Sequence, residues 1–140
     1  MRLRSYVEKI KFVILLIVYL HVGLAQKIPS HLAIDWTDLV APHSEKCIVE
    51  TEVDANVARN IFHDVPVEID RTLRCYFKCL LENMEFLLPN GQLVHEKFIG
   101  VLPDFEREIV EKCVDTYNPE KDFCDKAFLV SSCIMTVASE

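Results

Sequence analysis

Six cysteines hold the most reactive side chains in this 140-residue chain: Cys47, Cys75, Cys79, Cys113, Cys124 and Cys133, separated by 27, 3, 33, 10 and 8 residues. Thiols can ligate metal, attack a substrate or oxidise in pairs. A zinc site wants thiolates in a reducing compartment and usually shorter knuckle spacings. An even number of cysteines in an exported chain favours disulfides instead. Cys75 and Cys79 stand one helical turn apart on one face. Their Cα atoms would then lie about 6 Å apart with parallel side chains, an awkward arrangement for bonding each other. Each reaches more naturally toward a different neighbouring helix. Fifteen pairings of six cysteines exist, and spacing alone does not choose among them. A bridge closing tens of residues is worth roughly 3–4 kcal/mol in the chain-entropy model.

Other reactive constellations are sparse. His63-Asp64 is the one adjacent His-Asp pair. A small secreted lipid hydrolase would need such a pair beside a glycine-rich calcium loop. Neither that loop nor a Gly-x-Ser-x-Gly motif is present, and a hydrolase remains a remote alternative. The sequence points to no catalytic residue, no metal and no cofactor. It contains no Asn-x-Ser/Thr acceptor.

The segments that must position these cysteines begin with an address. Arg2, Arg4, Lys9 and Lys11 precede the apolar run Phe12 to Ala25. Fourteen helical residues span about 21 Å, short of the ~30 Å apolar bilayer core. A basic start, a short apolar stretch and small residues at Gly23 and Ala25 are the marks of a secretory signal peptide. Cleavage is expected after Ala25, leaving a single domain over residues 26–140, secreted and extracellular. The whole chain carries a net charge of −7. Export removes four bases and one acid, so the remainder reads −10, which argues against a nucleic-acid partner. Three glycines and 51% hydrophobic residues argue against disorder.

The exported part reads as helices. Trp36, Leu39, Val40, His43 and Cys47 recur at helical spacing, with Asp35 as the expected N-cap and Pro42 as a kink or a late start. Asp54 would cap a segment carrying Val57, Ala58, Ile61 and Phe62. Asp70 to Met84 is apolar around most of its circumference and should be buried on several sides. Pro89-Asn90-Gly91 marks a turn, with a hairpin over Glu85 to Val94 as the alternative. Glu96 to Leu102 returns to a helical rhythm. Pro103 suits the first turn of a helix with Phe105, Ile109, Val110, Cys113, Val114 and Tyr117 inward. Asp122 to about Val137 forms the last helix.

One cysteine, 27 residues and then Cys75-Tyr76-Phe77-Lys78-Cys79 resembles the six-cysteine insect odorant-binding protein family. The strings CYFKCLLENM and CDKAFLVSSC resemble that family's segments around its second and third, and fifth and sixth, cysteines. The resemblance implies an all-α fold of six short helices enclosing an apolar cavity. It also implies the disulfides Cys47–Cys79, Cys75–Cys124 and Cys113–Cys133, in keeping with the geometry of the Cys75/Cys79 turn.

Such a cavity would bind a small hydrophobic ligand largely by area and orient it through a few polar groups. Expected wall residues are Phe77, Leu80, Met84, Phe98, Leu102, Phe128, Leu129 and Met135, with Tyr76 and Ser131 as polar contacts. The implied function is a secreted, non-enzymatic carrier of odorants or pheromones through aqueous lymph. The alternative keeps the fold and moves it to saliva, venom or reproductive fluid. An olfactory receptor or a membrane surface is a candidate docking partner, and the chain is expected as a monomer or weak homodimer. Acid-driven release is associated with some members of the family, and histidine is the side chain suited to such a switch; the exported part carries His31, His43, His63 and His95. Only Ile134 to Glu140 follow the last cysteine, too short a tail for a further helix.

Overall fold

A computed structural model describes residues 2–22, 27–64, 66 and 68–139. Among them the chain is helical, in the order α1 (Arg2–Val22), α2 (Ser30–Thr51), α3 (Ala55–Arg59), α4 (Arg71–Asn83), α5 (His95–Gly100), α6 (Arg107–Tyr117) and α7 (Phe123–Ser139). The six helices from α2 onward build the fold. The described side chains of α1, residues 4–17, are exposed. No described helix is long and apolar enough to cross a membrane. The expected cleavage point after Ala25 lies outside the described residues.

Helix α2 starts earlier than its side-chain caps suggest. Asp35 lies inside it, and the N-cap is Pro29, which makes no side-chain cap bond. Leu32 and Ala33 are buried with Trp36, Val40, Cys47 and Ile48. Packing of that extended stripe outweighs the local preference of Asp35 for a cap. Pro42 sits within the helix on its exposed side. There water can take the carbonyl that its missing N–H leaves free.

Asp54 caps the single turn of α3, its Oδ1 accepting from the Asn56 and Val57 amides at 2.9 and 3.0 Å. Asp70 caps α4 by accepting from the Leu73 amide at 2.9 Å. Helix α4 is the centre of the molecule: Leu73, Tyr76, Phe77, Cys79, Leu80 and Leu81 are all buried. It packs against α2 on one side and α7 on the other, and α7 in turn packs on α6.

The turn at Pro89-Asn90-Gly91 closes a miniature hairpin with one antiparallel bridge, Leu87 to Leu93. Gly91 adopts φ 86°, the left-handed region that favours glycine. A Cβ there would stand 2.6 Å from the Phe123 ring. Lys126, only 4% exposed, donates its Nζ proton to the Gly91 carbonyl and lies over the same ring. Burial pushes its amine below the ordinary lysine value.

Helix α6 begins at Arg107 rather than at Pro103. Leu102 is 1% exposed, and burying it draws the chain inward so that residues 103–105 must turn, with the Phe105 amide on the Leu102 carbonyl. Val110, Cys113 and Val114 form the inward stripe, and Ile109 lies outside it, 43% exposed. Three disulfides tie Cys47 of α2 to Cys79 of α4, Cys75 of α4 to Cys124 of α7, and Cys113 of α6 to Cys133 of α7. The expected pairing is therefore the observed one.

Candidate functional site: an apolar cavity under a disulfide-laced frame

The cavity lies between α2, α4 and α7 and is roofed by the segments around α3 and α5. Helix α2 supplies Trp36, Leu39 and Val40, α4 supplies Phe77, Leu80 and Leu81, and α7 supplies Ser131, Ile134 and Met135. Met84, Phe86, Phe98, Val101 and Phe62 complete the lining. The space between these walls is about 500 Å³ with the open solvent at its mouth included.

Aromatic edges set its shape. Trp36 meets Phe62 edge-on at 5.6 Å between centroids, and Phe86 meets Phe98 at 5.0 Å and 89°. Such T-shaped pairs place the positive edge of one ring on the negative face of the other. The Trp36 indole N–H donates to the Val101 carbonyl at 3.1 Å. This bond fixes α2 to the end of α5 and leaves the indole no free polar group toward the cavity. Leu39, 40% exposed, stands at the mouth.

Six of the ten side chains expected at the site line this space: Phe77, Leu80, Met84, Phe98, Ser131 and Met135. The other four are placed elsewhere. Tyr76 is fully buried in the core, with its hydroxyl 3.0 Å from Ser44 Oγ, and burial raises its phenol above the ordinary value. Leu102 is packed in the core of the roof. Phe128 meets Phe77 edge-on at 5.8 Å and lines an adjoining outer groove. Leu129 stands two residues from Ser131, which on an α-helix is the opposite face. Phe62, Phe77 and Met135 separate the cavity from that groove, since they line both.

Trp36, Leu39 and Val40 belong to a helical stripe that sequence reads simply as core. Sequence places Phe62 in the segment capped by Asp54 and Val101 in the rhythm from Glu96 to Leu102, but α3 ends at Arg59 and α5 at Gly100; both, like Phe86, lie outside regular helices, where no periodicity tells which way a side chain points. The aromatic character of Phe62 and Phe86 is the one signal that could have drawn attention to them.

The polar groups make no reactive cluster at the cavity. His63 Nε2 lies 3.3 Å from Thr37 Oγ1 rather than on its neighbour Asp64. His95 Nε2 meets Asp115 Oδ1 at 2.6 Å across α5 and α6, an ion-pair position on the outside of the fold. No described group of three or more His, Cys, Asp or Glu is arranged to hold a metal ion. Arg71 clamps Asp122 at 2.9 Å and, with the Asp125 amide, holds that carboxyl down to about 2.

Comparison with known proteins places this geometry in context. The model of the PBP/GOBP family matches residues 32–137, a stretch running from α2 into α7. General odorant-binding protein 57d of Drosophila melanogaster is 22% identical over 103 residues, covering 68% of this chain and 76% of that protein. General odorant-binding protein 57c of Drosophila melanogaster is 32% identical over 90 residues, covering 62% of this chain and 60% of that protein. No solved structure matches the chain.

Proposed function

The chain belongs to the PBP/GOBP family, and from that premise we propose that it is a secreted carrier of small hydrophobic molecules of the odorant or pheromone kind. Residues 1–25 act as its export signal and residues 26–140 as the carrier domain. The observation that carries this reading is the apolar cavity walled by aromatic and aliphatic side chains between the three laced helices α2, α4 and α7. Phe77, Leu80, Met84, Phe98 and Met135 hold the ligand together with Trp36. The two methionines adapt to different ligand outlines.

The affinity scale follows from area. A ligand that buries about 300 Å² of apolar surface gains ~7.5 kcal/mol, from which the cost of association is subtracted. The mechanism is capture and shielding of the ligand by the described lining, which is apolar apart from the Trp36 N–H and the Ser131 hydroxyl. Displacement of a fluorescent apolar probe from the purified 26–140 domain tests the reading. Saturable, micromolar, competitor-sensitive binding is expected; failure to bind any probe across a panel of volatiles and lipids overturns it. Expression in chemosensory tissue supports carriage of odorants, and glandular expression moves the same carriage to another fluid.

A further inference from the structure

Hydroxyl groups on helices can turn back to the carbonyl four residues earlier, and here five of them do. Thr37, Thr51, Thr116, Thr136 and Ser139 donate to the carbonyls of Ala33, Cys47, Lys112, Ser132 and Met135 at 2.6 to 2.9 Å. Ser44 instead pairs with the Tyr76 hydroxyl. Ser131 does neither. It sits in the middle of α7, half-buried on the cavity wall, and its hydroxyl has no partner among the described residues.

Among the described lining residues, Trp36 and Ser131 alone carry a side-chain nitrogen or oxygen. The Trp36 N–H is already spent on the Val101 carbonyl. An unpartnered hydroxyl facing apolar walls loses its water when a ligand enters, and regains a bond only if the ligand brings one. We propose that Ser131 is the specificity-determining residue of the cavity, selecting apolar ligands that carry a single alcohol, ester or carbonyl oxygen and seating that oxygen on α7. The hydroxyl can accept from an alcohol and donate to a carbonyl, so each of these groups satisfies it. The hydrocarbon remainder lies against Trp36, Leu80 and Phe98. This inference rests on the carrier reading and adds the chemistry of the ligand to it.

The test is competition against a fluorescent apolar probe with a straight-chain alcohol, a methyl ester and an alkane of matched heavy-atom count. Wild-type protein should prefer the oxygenated ligands by about fivefold, the scale of one net hydrogen bond. Ser131→Ala, a substitution that suits a helix interior, should abolish the preference, with alkane affinity rising because no hydroxyl is left to lose its water. Ser131→Thr should retain it. Ser132→Ala, one residue along and facing the outer groove, should also retain it. No oxygen preference in the wild type, or a preference that survives in Ser131→Ala, overturns the assignment while the carrier reading stands. Absence of probe binding by the wild type defeats the carrier reading and this inference with it.

Discussion

Helices α2, α4, α7 and α6 are joined in that order by the three disulfides, whereas α3, α5 and the stretch from Met84 to Glu106 contain none. Both regions wall the cavity. The laced frame contributes the α2, α4 and α7 faces. The roof contributes Phe62, Phe86, Phe98 and Val101. Noncovalent contacts hold it: the Trp36–Val101 bond, the Leu93 amide on Asn118 Oδ1 at 3.0 Å, the Lys126–Gly91 contact and the surface pair Arg107–Glu96. Exposed ion pairs of that kind contribute little, so apolar packing of Leu87, Leu93, Phe98 and Leu102 must hold most of the roof down. The contrast teaches where stability is stored. Crosslinks that restrict the unfolded chain allow the interior to leave space unfilled.

The largest effect should come from the frame. Replacing Cys75 and Cys124 together by Ala opens a link across 49 residues and should cost about 4 kcal/mol in denaturant unfolding, with protection lost throughout. Leu102→Ala empties a fully buried position in the roof and should cost about 3 kcal/mol. Hydrogen exchange should then quicken at residues 85–102 before it does in α4 or α7. If the roof substitution destabilised the molecule more than loss of the crosslink, the distinction between the two regions would fail. Asp54→Ala removes the cap of α3 and should cost about 1 kcal/mol. Its faster exchange should be confined to residues 55–64, which would sharpen the boundary of the roof.

The smallest effect lies in acid. Asp122 is held down to about 2, first by Arg71 and then by the Asp125 amide. A carboxyl lowered by folding stabilises the folded state above its unfolded pKa of about 3.9. That contribution disappears as pH falls toward 2. Asp122→Asn keeps a side chain able to cap α7 and removes the charge. The fall in melting temperature between pH 5 and pH 2, values bracketing that window of about 2 to 4, should therefore be shallower in the variant than in the wild type. An identical slope would mean that the Arg71 clamp adds nothing to the frame.

The frame was readable from sequence because its determinants are periodic or covalent. Cys75 and Cys79 one turn apart on an apolar helix demanded two different partners, and the family resemblance supplied which. Asp54 was legible as a cap because it lies directly before a helical stripe. Asp35 misled because the buried face of α2 runs one turn further back, and only packing against the core shows that Leu32 and Ala33 belong to it. The start of α6 was displaced for a similar reason: the burial of Leu102 bends the chain through Pro103. The roof was least legible. Phe62, Phe86 and Val101 point inward from turns and helix ends, where side-chain direction depends on local backbone angles that no repeat in the sequence encodes. Tyr76 and Leu129 show the same limit inside helices, since a residue beside a cavity wall and one in it can differ by a single step of rotation.

The order of the crosslinks has one more consequence. Every peptide bond between Cys47 and Cys133 falls within at least one disulfide loop, because the spans 47–79, 75–124 and 113–133 overlap end to end. A protease that cuts the chain once anywhere in that interval, the roof included, leaves both pieces in one molecule. Two bands should separate only after reduction. In a fluid where proteases are present and replacement is slow, such a protein wears out by accumulating nicks rather than by falling apart.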